Sequence, residues 1–259
     1  MELKLLEKEY LVHVYESGPD GKTTLWALFN YMQDIASEHA IKLGFGREDL
    51  MKKNQIWLLS RMYVEIYKLP LWFDKLIVKT WPCGTDKFFA MRNYEIIFPD
   101  GRQIASGSSS WLIVDQATRK IQRPDNSLYR FKDDYRSFST TVRSAEKLAG
   151  ASDDGTISPS FKVETSDLDV NLHTNNANYV KWVINSYDLD FVLTHSPHSA
   201  EINYLAEAKH DEEVIIKTSG ETGNNLLFNH SVFRKNDNRE LCRIKLGWNK
   251  QNNNKPDLK

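Results

Sequence analysis

Thiols are almost missing from these 259 residues: Cys83 and Cys242 stand apart, and no CxxC occurs. That scarcity excludes a disulfide framework or a cysteine-rich zinc site as the organising device, and it fits a reducing compartment. Long apolar runs are missing too. Nowhere do about 18 apolar residues follow one another, so no membrane span is expected. The opening "MELKLLEKEYLVHVYES" lacks the apolar centre of a signal peptide, and the expectation is a cytoplasmic protein. Charge of one sign is not in excess either. With 34 Lys and Arg against 35 Asp and Glu, the net charge of -1 gives no global field for nucleic acid. Any charged partner must meet a local patch. His195 and His198 in "THSPHS" read as a loop pair with no third ligand, so no metal and no cofactor are expected. "GFG" at Gly44–Gly46 is a helix stop and turn, too short to cradle phosphate.

What is present is ordinary globular composition, 41% hydrophobic and 12% aromatic, with length for one large domain or two smaller ones. "TTLWALFNYMQDIASEHAIKLG" sets Leu25, Leu28, Phe29, Met32, Ile35, Ala36 and Leu43 on one helical face. Thr23 or Thr24 can cap its start, and Gly44 suits a left-handed stop. The period then changes. "IWLLSRMYVEIYK", "DKLIVKTWPCG", "FFAMRNYEIIF" and "RQIASGSSSWLIVD" read as strands separated by tight turns. The same order returns later. "FKVETSDLDV" is a strand candidate and "NNANYVKWVINSYD" a helix; "AEINYLAEA", "DEEVIIKTSGE", "NLLFNHSVFRK" and "RELCRIKLGWNK" follow as strands. One unit appears twice, which argues for an internal duplication in an α+β protein with curved antiparallel sheet against each helix.

Between the two copies' strands and the second helix lies "DLDVNLHTNN", Asp167 to Asn176. If the strand runs on to Val170, Asp169, Asn171 and His173 share one face and Leu168, Val170 and Leu172 enter the core. The amides around Thr174–Ala177 would stand open at the positive end of the helix dipole, ready to hold an oxyanion. His173 can move protons near neutral pH, and an asparagine amide can orient a water. Read residue by residue, the same groups are ordinary helix caps and a structural histidine. Spacing alone leaves the two readings about even.

"LDVNLHTNNANYVKWVINS" resembles the signature of the acyl-acyl carrier protein thioesterases, LDVNxHxNNxxY followed by a helix. "RMYVEIYKLPLWFDKLIVKTWPCG" and "SSSWLIVDQATRKIQRP" are similar to that family's N-terminal stretches, so the resemblance covers most of the chain in order. It implies a tandem double hotdog fold, with two long helices each wrapped by a curved antiparallel sheet. The implied divisions are an N-terminal hotdog domain at 1–140 shaping the acyl pocket, a linker at 141–158, a catalytic hotdog domain at 159–250 and a polar tail at 251–259. The start directly at the first domain resembles the bacterial branch of the family.

Carried over by position, the family's catalytic set falls on Asp169, Asn171, His173 and, within "INYLAEA", Glu207. Its cysteine position holds Ala208 here, so an acyl-cysteine route is not expected. The implied chemistry is general-base hydrolysis of a fatty acyl thioester, with Glu207 and His173 activating water, Asn171 positioning it and Asp169 orienting its neighbours. Met32 and Trp57 are implied acyl-pocket residues. The implied partner is acyl carrier protein; the best local basic cluster to meet it is Arg119, Lys120, Arg123, Arg130 and Lys132, a stretch that reads equally well as a solvated linker. Hotdog units often pair again, so a homodimer is compatible with the resemblance. The rival readings are an acyl-coenzyme A thioesterase and a double-hotdog acyl-binding protein without catalysis.

Overall fold

The structure, a computed structural model, describes residues 4–124, 142–221 and 226–251. Its first half holds β1 (Leu6–Leu11), α1 (Leu25–Lys42), α2 (Arg47–Met51), β2 (Gln55–Ile66), β3 (Lys75–Asp86), β4 (Phe89–Ile97), β5 (Gln103–Asp115) and β6 (Ile121–Gln122). Its second holds β7 (Thr156–Ile157), β8 (Phe161–Lys162), α3 (Asn176–Ile184), α4 (Leu189–Thr194), β9 (His195–Tyr204), β10 (Glu213–Glu221), β11 (Leu226–Arg234) and β12 (Arg239–Lys250). The main strands run in the sheet order β1-β3-β4-β5-β2-β9-β12-β11-β10-β7, and the pairing is antiparallel throughout. β5-β2 on one side is mirrored by β9-β12 on the other. The two halves join where β2 pairs β9, from Arg61 opposite Asn203 to Glu65 opposite Ser199.

α1 and α3 pack against each other and on the sheet, and their apolar faces meet in one core. Leu28, Met32 and Ile35 of α1 join Val180 and Val183 of α3 there, all fully buried. The apolar spacing of α1 therefore does what its period predicts. Its end is a Schellman motif: Phe45 N–H donates to Ala40 O at 2.9 Å and Gly44 N–H to Ile41 O at 3.0 Å, with Gly44 at φ +77°. Its start differs from expectation. Thr24 occupies the N-cap position, but its hydroxyl donates to Glu16 O at 3.0 Å and the Thr23 hydroxyl to Pro70 O at 3.0 Å. Both threonines tie loops down instead of capping the helix.

Further expectations are corrected. The second helix has 9 residues against 18 in α1, so only one of the two is long. It stops where the Ser186 hydroxyl takes the Val183 carbonyl at 2.7 Å. His195 and His198 lie in β9, not in a loop. Trp72 is 46% exposed and lies tilted against the Phe73 ring in the β2–β3 connection. Leu43 packs in a second small cluster with Leu50, Trp81 and Ile113. Arg130, Lys132 and residues 252–259 lie outside the described residues.

The described part of the connection between the halves, from residue 142 on, is bonded onto the seam. The Arg143 guanidinium forks onto both Glu201 oxygens at 2.8 and 2.7 Å, and Glu146 N–H adds a third bond at 2.6 Å. Leu148 N–H donates to Asn203 Oδ1 at 2.8 Å. Glu201 and Asn203 are the strand partners of Tyr63 and Arg61, so this segment fastens directly over the β2–β9 joint.

Candidate active site

Past β8 the chain does not stay extended. Thr165–Asp167 form a turn of 3-10 helix, Asp169 N–H donates to His173 O at 2.7 Å, and Leu172 N–H donates to Asp169 O at 3.0 Å. Leu172 sits at φ +61°. The strand expected over 161–170 is therefore only Phe161–Lys162, and the alternation fails with it. Val170 and Leu172 are 86% and 74% exposed instead of entering the core. The cause is local. The Asp169 carboxylate collects the N–H groups of Asn171 at 2.8 Å and His173 at 3.1 Å, and these bonds curl the segment into a loop.

The loop still brings the expected residues together. Asn171 Nδ2 lies 3.3 Å from the second Asp169 oxygen. Glu207 is three residues past the end of β9 rather than on a strand, and its Oε1 lies 3.3 Å from His173 Nδ1. Both side chains are about one-third exposed, at 31% and 28%. Water and substrate can reach them.

The loop is anchored on both sides. Asp167, 5% exposed, accepts from Glu164 N–H at 3.0 Å and from the Trp182 indole at 3.3 Å, while its carbonyl accepts from Asn175 N–H and Asn178 Nδ2. On the other side Ala208 holds Glu207 in place. Its carbonyl accepts from the Thr174 hydroxyl at 2.9 Å, and its N–H donates to the Tyr179 hydroxyl at 2.9 Å. Arg234 adds a bond to the Glu207 carbonyl at 3.3 Å.

One part of the expected site is narrowed. Most of the amides around the start of α3 are already taken: Thr174 N–H by Ala208 O, Asn175 N–H by Asp167 O, Ala177 N–H by the Asn175 side chain and Asn178 N–H by Asn175 O. Asn175 is a working N-cap, so this helix end is partly closed by its own residues. Asn176 N–H is not among these bonds, so of the expected amides it is the one still open to a developing oxyanion, beside the exposed Asn171 side chain.

Two arginines of the first half reach this loop. Arg47, the first residue of α2, donates Nε to Asn171 Oδ1 at 2.8 Å across 124 positions of sequence. Arg119, in the β5–β6 turn, brings a guanidinium nitrogen to 3.8 Å from Glu207 Oε2. Sequence reasoning left Arg47 unnoticed and grouped Arg119 with a docking patch. For Arg119 the signal that existed was its place in the "TRK" stretch of the family-like motif.

Met32 is fully buried in the main core, while Trp57 is half-buried against the second cluster, its indole N–H on Phe45 O at 2.8 Å. The two do not share a cluster. Neither cysteine is placed for thiol chemistry. Cys242 is wholly buried in β12, and burial pushes the Cys83 thiol up to about 12. Among the described residues, no group of three or more His, Cys, Asp or Glu is gathered to hold a metal ion. Among them, too, no helix is long and apolar enough to cross a membrane.

Comparison with known proteins bears on the family and the fold. The model of the acyl-ACP thioesterase N-terminal domain matches residues 4–130, and that of the acyl-ACP thioesterase C-terminal domain matches residues 150–250. The oleoyl-acyl carrier protein thioesterase of Coriandrum sativum chloroplasts is 27% identical over 234 residues, 83% of this chain and 62% of that protein. Oleoyl-acyl carrier protein thioesterase 2 of Arabidopsis thaliana chloroplasts is 27% identical over 241 residues, 85% of this chain and 64% of that protein. The chain thus spans less than two thirds of the length of these relatives. An acyl-ACP thioesterase from Bacteroides thetaiotaomicron superposes with a TM-score of 0.86 at 24% identity, over 95% of this chain and 98% of that one. The 12:0-ACP thioesterase from Umbellularia californica superposes with a TM-score of 0.85 at 22% identity, over 97% and 96%. These likenesses establish the double hotdog fold.

Proposed function

The chain belongs to the acyl-ACP thioesterase family, whose two domain models it matches in order, and from that premise we propose that it hydrolyses fatty acyl-acyl carrier protein to release free fatty acid. The observation that carries the reading is the 3.3 Å approach of His173 Nδ1 to Glu207 Oε1 beside the Asn171 amide. With its Nδ1–H turned to the carboxylate, the imidazole keeps Nε2 as a proton acceptor. A water giving its proton there adds to the thioester carbonyl carbon. The free N–H of Asn171 Nδ2 meets the oxygen on which negative charge develops. Collapse breaks the carbon–sulfur bond, and the departing thiolate takes the proton from the imidazolium. Asp169 acts one step back, holding the backbone of Asn171 and His173.

On this reading residues 159–250 carry the chemistry and residues 1–140 shape the acyl pocket, with Met32 and Trp57 among its lining. The carrier, an acidic protein, meets the exposed Lys120 and Arg123. The test is a panel of acyl carrier thioesters of different chain length, with free acid measured for each. The same chains on coenzyme A form the comparison set. Release of acid from the carrier set, lost in His173→Ala, is the expected result. Faster turnover on coenzyme A would move the assignment to that carrier. No release from any substrate would leave an acyl-binding protein.

A further inference from the structure

We infer that Arg119 and Arg47 are positioning residues of the catalytic site, reaching from the first half of the chain to hold Glu207 and Asn171 in working orientation. The inference rests on the proposed roles of Glu207, His173 and Asn171 and adds what fixes them. The Glu207 carboxylate divides its oxygens between two partners: Oε1 faces His173 at 3.3 Å and Oε2 faces Arg119 at 3.8 Å. A carboxylate on a loop, about one-third exposed, has several rotamers open to it. A cation on the far oxygen selects the one that turns the near oxygen to the imidazole.

Arg119 is delivered from a stiff base. Asp115 Oδ1 accepts Thr118 N–H at 2.7 Å and its hydroxyl at 2.8 Å, while Asn54 Nδ2 holds the other oxygen at 3.2 Å. Arg119 N–H closes onto Asp115 O and Asp115 N–H onto Lys120 O, each at 2.9 Å. Within this turn Arg119 adopts φ +56°, a left-handed conformation that glycine or asparagine reaches more cheaply. A turn that needed only this backbone shape would be better served by glycine. The side chain gives the position its purpose.

Arg47 works in the same way on Asn171. Its Nε–H occupies the Asn171 amide oxygen at 2.8 Å, and the amide nitrogen faces Asp169 Oδ2 at 3.3 Å. A guanidinium donates only and a carboxylate accepts only, so the two together decide which way round the amide sits. The remaining N–H is left for the substrate. α2 itself is seated closely: a Cβ at Gly46 would lie 2.7 Å from Ile41 Cγ1. The C-terminal site is thus complete only with the first half docked against it.

The experiment is steady-state kinetics on an acyl carrier thioester for Arg119→Ala, Arg119→Lys, Arg47→Ala, Glu207→Gln and the Arg119→Ala/Glu207→Gln double variant. Melting curves confirm folding, and Arg119→Gln replaces Arg119→Ala if the latter does not fold. Each arginine-to-alanine change is expected to lower kcat by about tenfold or more with KM within about twofold, as for a misplaced catalytic group. Arg119→Lys should recover a substantial part of kcat, and the double variant should be no slower than Glu207→Gln. A raised KM with unchanged kcat in Arg119→Ala would overturn the inference and make the residue a carrier contact. Loss of activity in Glu207→Gln with full kcat in both arginine variants would overturn it alone, leaving the proposed reaction intact. Full kcat in Glu207→Gln would remove the premise, and the inference with it.

Discussion

The N–H of Ala208 donates to the Tyr179 hydroxyl across 2.9 Å, and this bond couples α3 to the residue beside the candidate base. Ala208 is fully buried and Tyr179 is 3% exposed, so nothing replaces the hydroxyl if it is removed. Tyr179→Phe leaves a buried amide without an acceptor, at a cost of about 1–3 kcal/mol. Urea unfolding should show that loss, and kcat should fall with it because Glu207 is the next residue. An unchanged midpoint would mean that the Ala208 amide finds another partner.

If Glu207 and His173 work as one unit, their effects on turnover do not add. Glu207→Gln and His173→Ala should each lower kcat by about 10²–10⁴-fold, and the double variant should be little slower than the worse single one. Single-turnover hydrolysis measures this directly. Multiplying losses would show two separate roles and break the pair assigned here.

Much of the architecture is legible in the sequence because it rests on period. Six of the seven residues placed on the face of α1, the four strands after it and their four later counterparts all appear within a few residues of where spacing puts them. The loop from Leu168 to Thr174 is different. Its apolar alternation matches a strand, but Asp169 bonds to two backbone amides and overrides the pattern, leaving Val170 and Leu172 in solvent. Asp169, Asn171 and His173 are identified correctly as neighbours, but for the wrong geometric reason. Arg47 is invisible for another cause: its partner Asn171 is 124 positions away, and no local pattern carries that distance.

Ala208 stands where the resembled family carries cysteine, and the structure predicts what restoring the thiol would do. The position is fully buried and its backbone is fixed on both sides, so a thiol there is desolvated and held in its neutral form. Ala208→Cys is expected to leave kcat at or below that of the parent and to resist iodoacetamide at neutral pH. Rapid alkylation with parallel loss of activity would show an open, reactive position instead.

The seam between the halves depends on Arg143 and Glu201. Burial pushes the Glu201 carboxyl up, but the Arg143 fork and the Glu146 amide outweigh it and hold the group below its ordinary value. Arg143→Ala leaves a carboxylate that is 4% exposed with its fork partner gone. Arg143 is itself half-exposed, so water recovers part of the loss, and about 2 kcal/mol of destabilisation is expected. Denaturant melts of Arg143→Ala and Arg143→Lys give the number, with lysine intermediate because it cannot form the fork.

His230 sets an acid limit on stability. Its ring is buried between the Tyr187 hydroxyl, 2.8 Å from Nε2, and the Thr218 hydroxyl, 2.9 Å from Nδ1. Tyr187 already accepts the Trp248 indole N–H at 3.2 Å. A proton on both ring nitrogens would force the tyrosine to accept twice, and burial lowers the His230 pKa to about 3. In the unfolded chain the ring titrates near 6.5. Between those values the unfolded state binds the extra proton and the folded state does not, so stability falls as pH drops through that window and is unaffected above it. His230→Gln cannot titrate. Its stability deficit relative to the parent should therefore shrink by about 2 kcal/mol between pH 7 and pH 5, because the parent alone loses this contribution. Parallel urea melts at the two pH values measure the difference, and a deficit that stays constant would show that His230 titrates in the folded protein much as it does in the open chain.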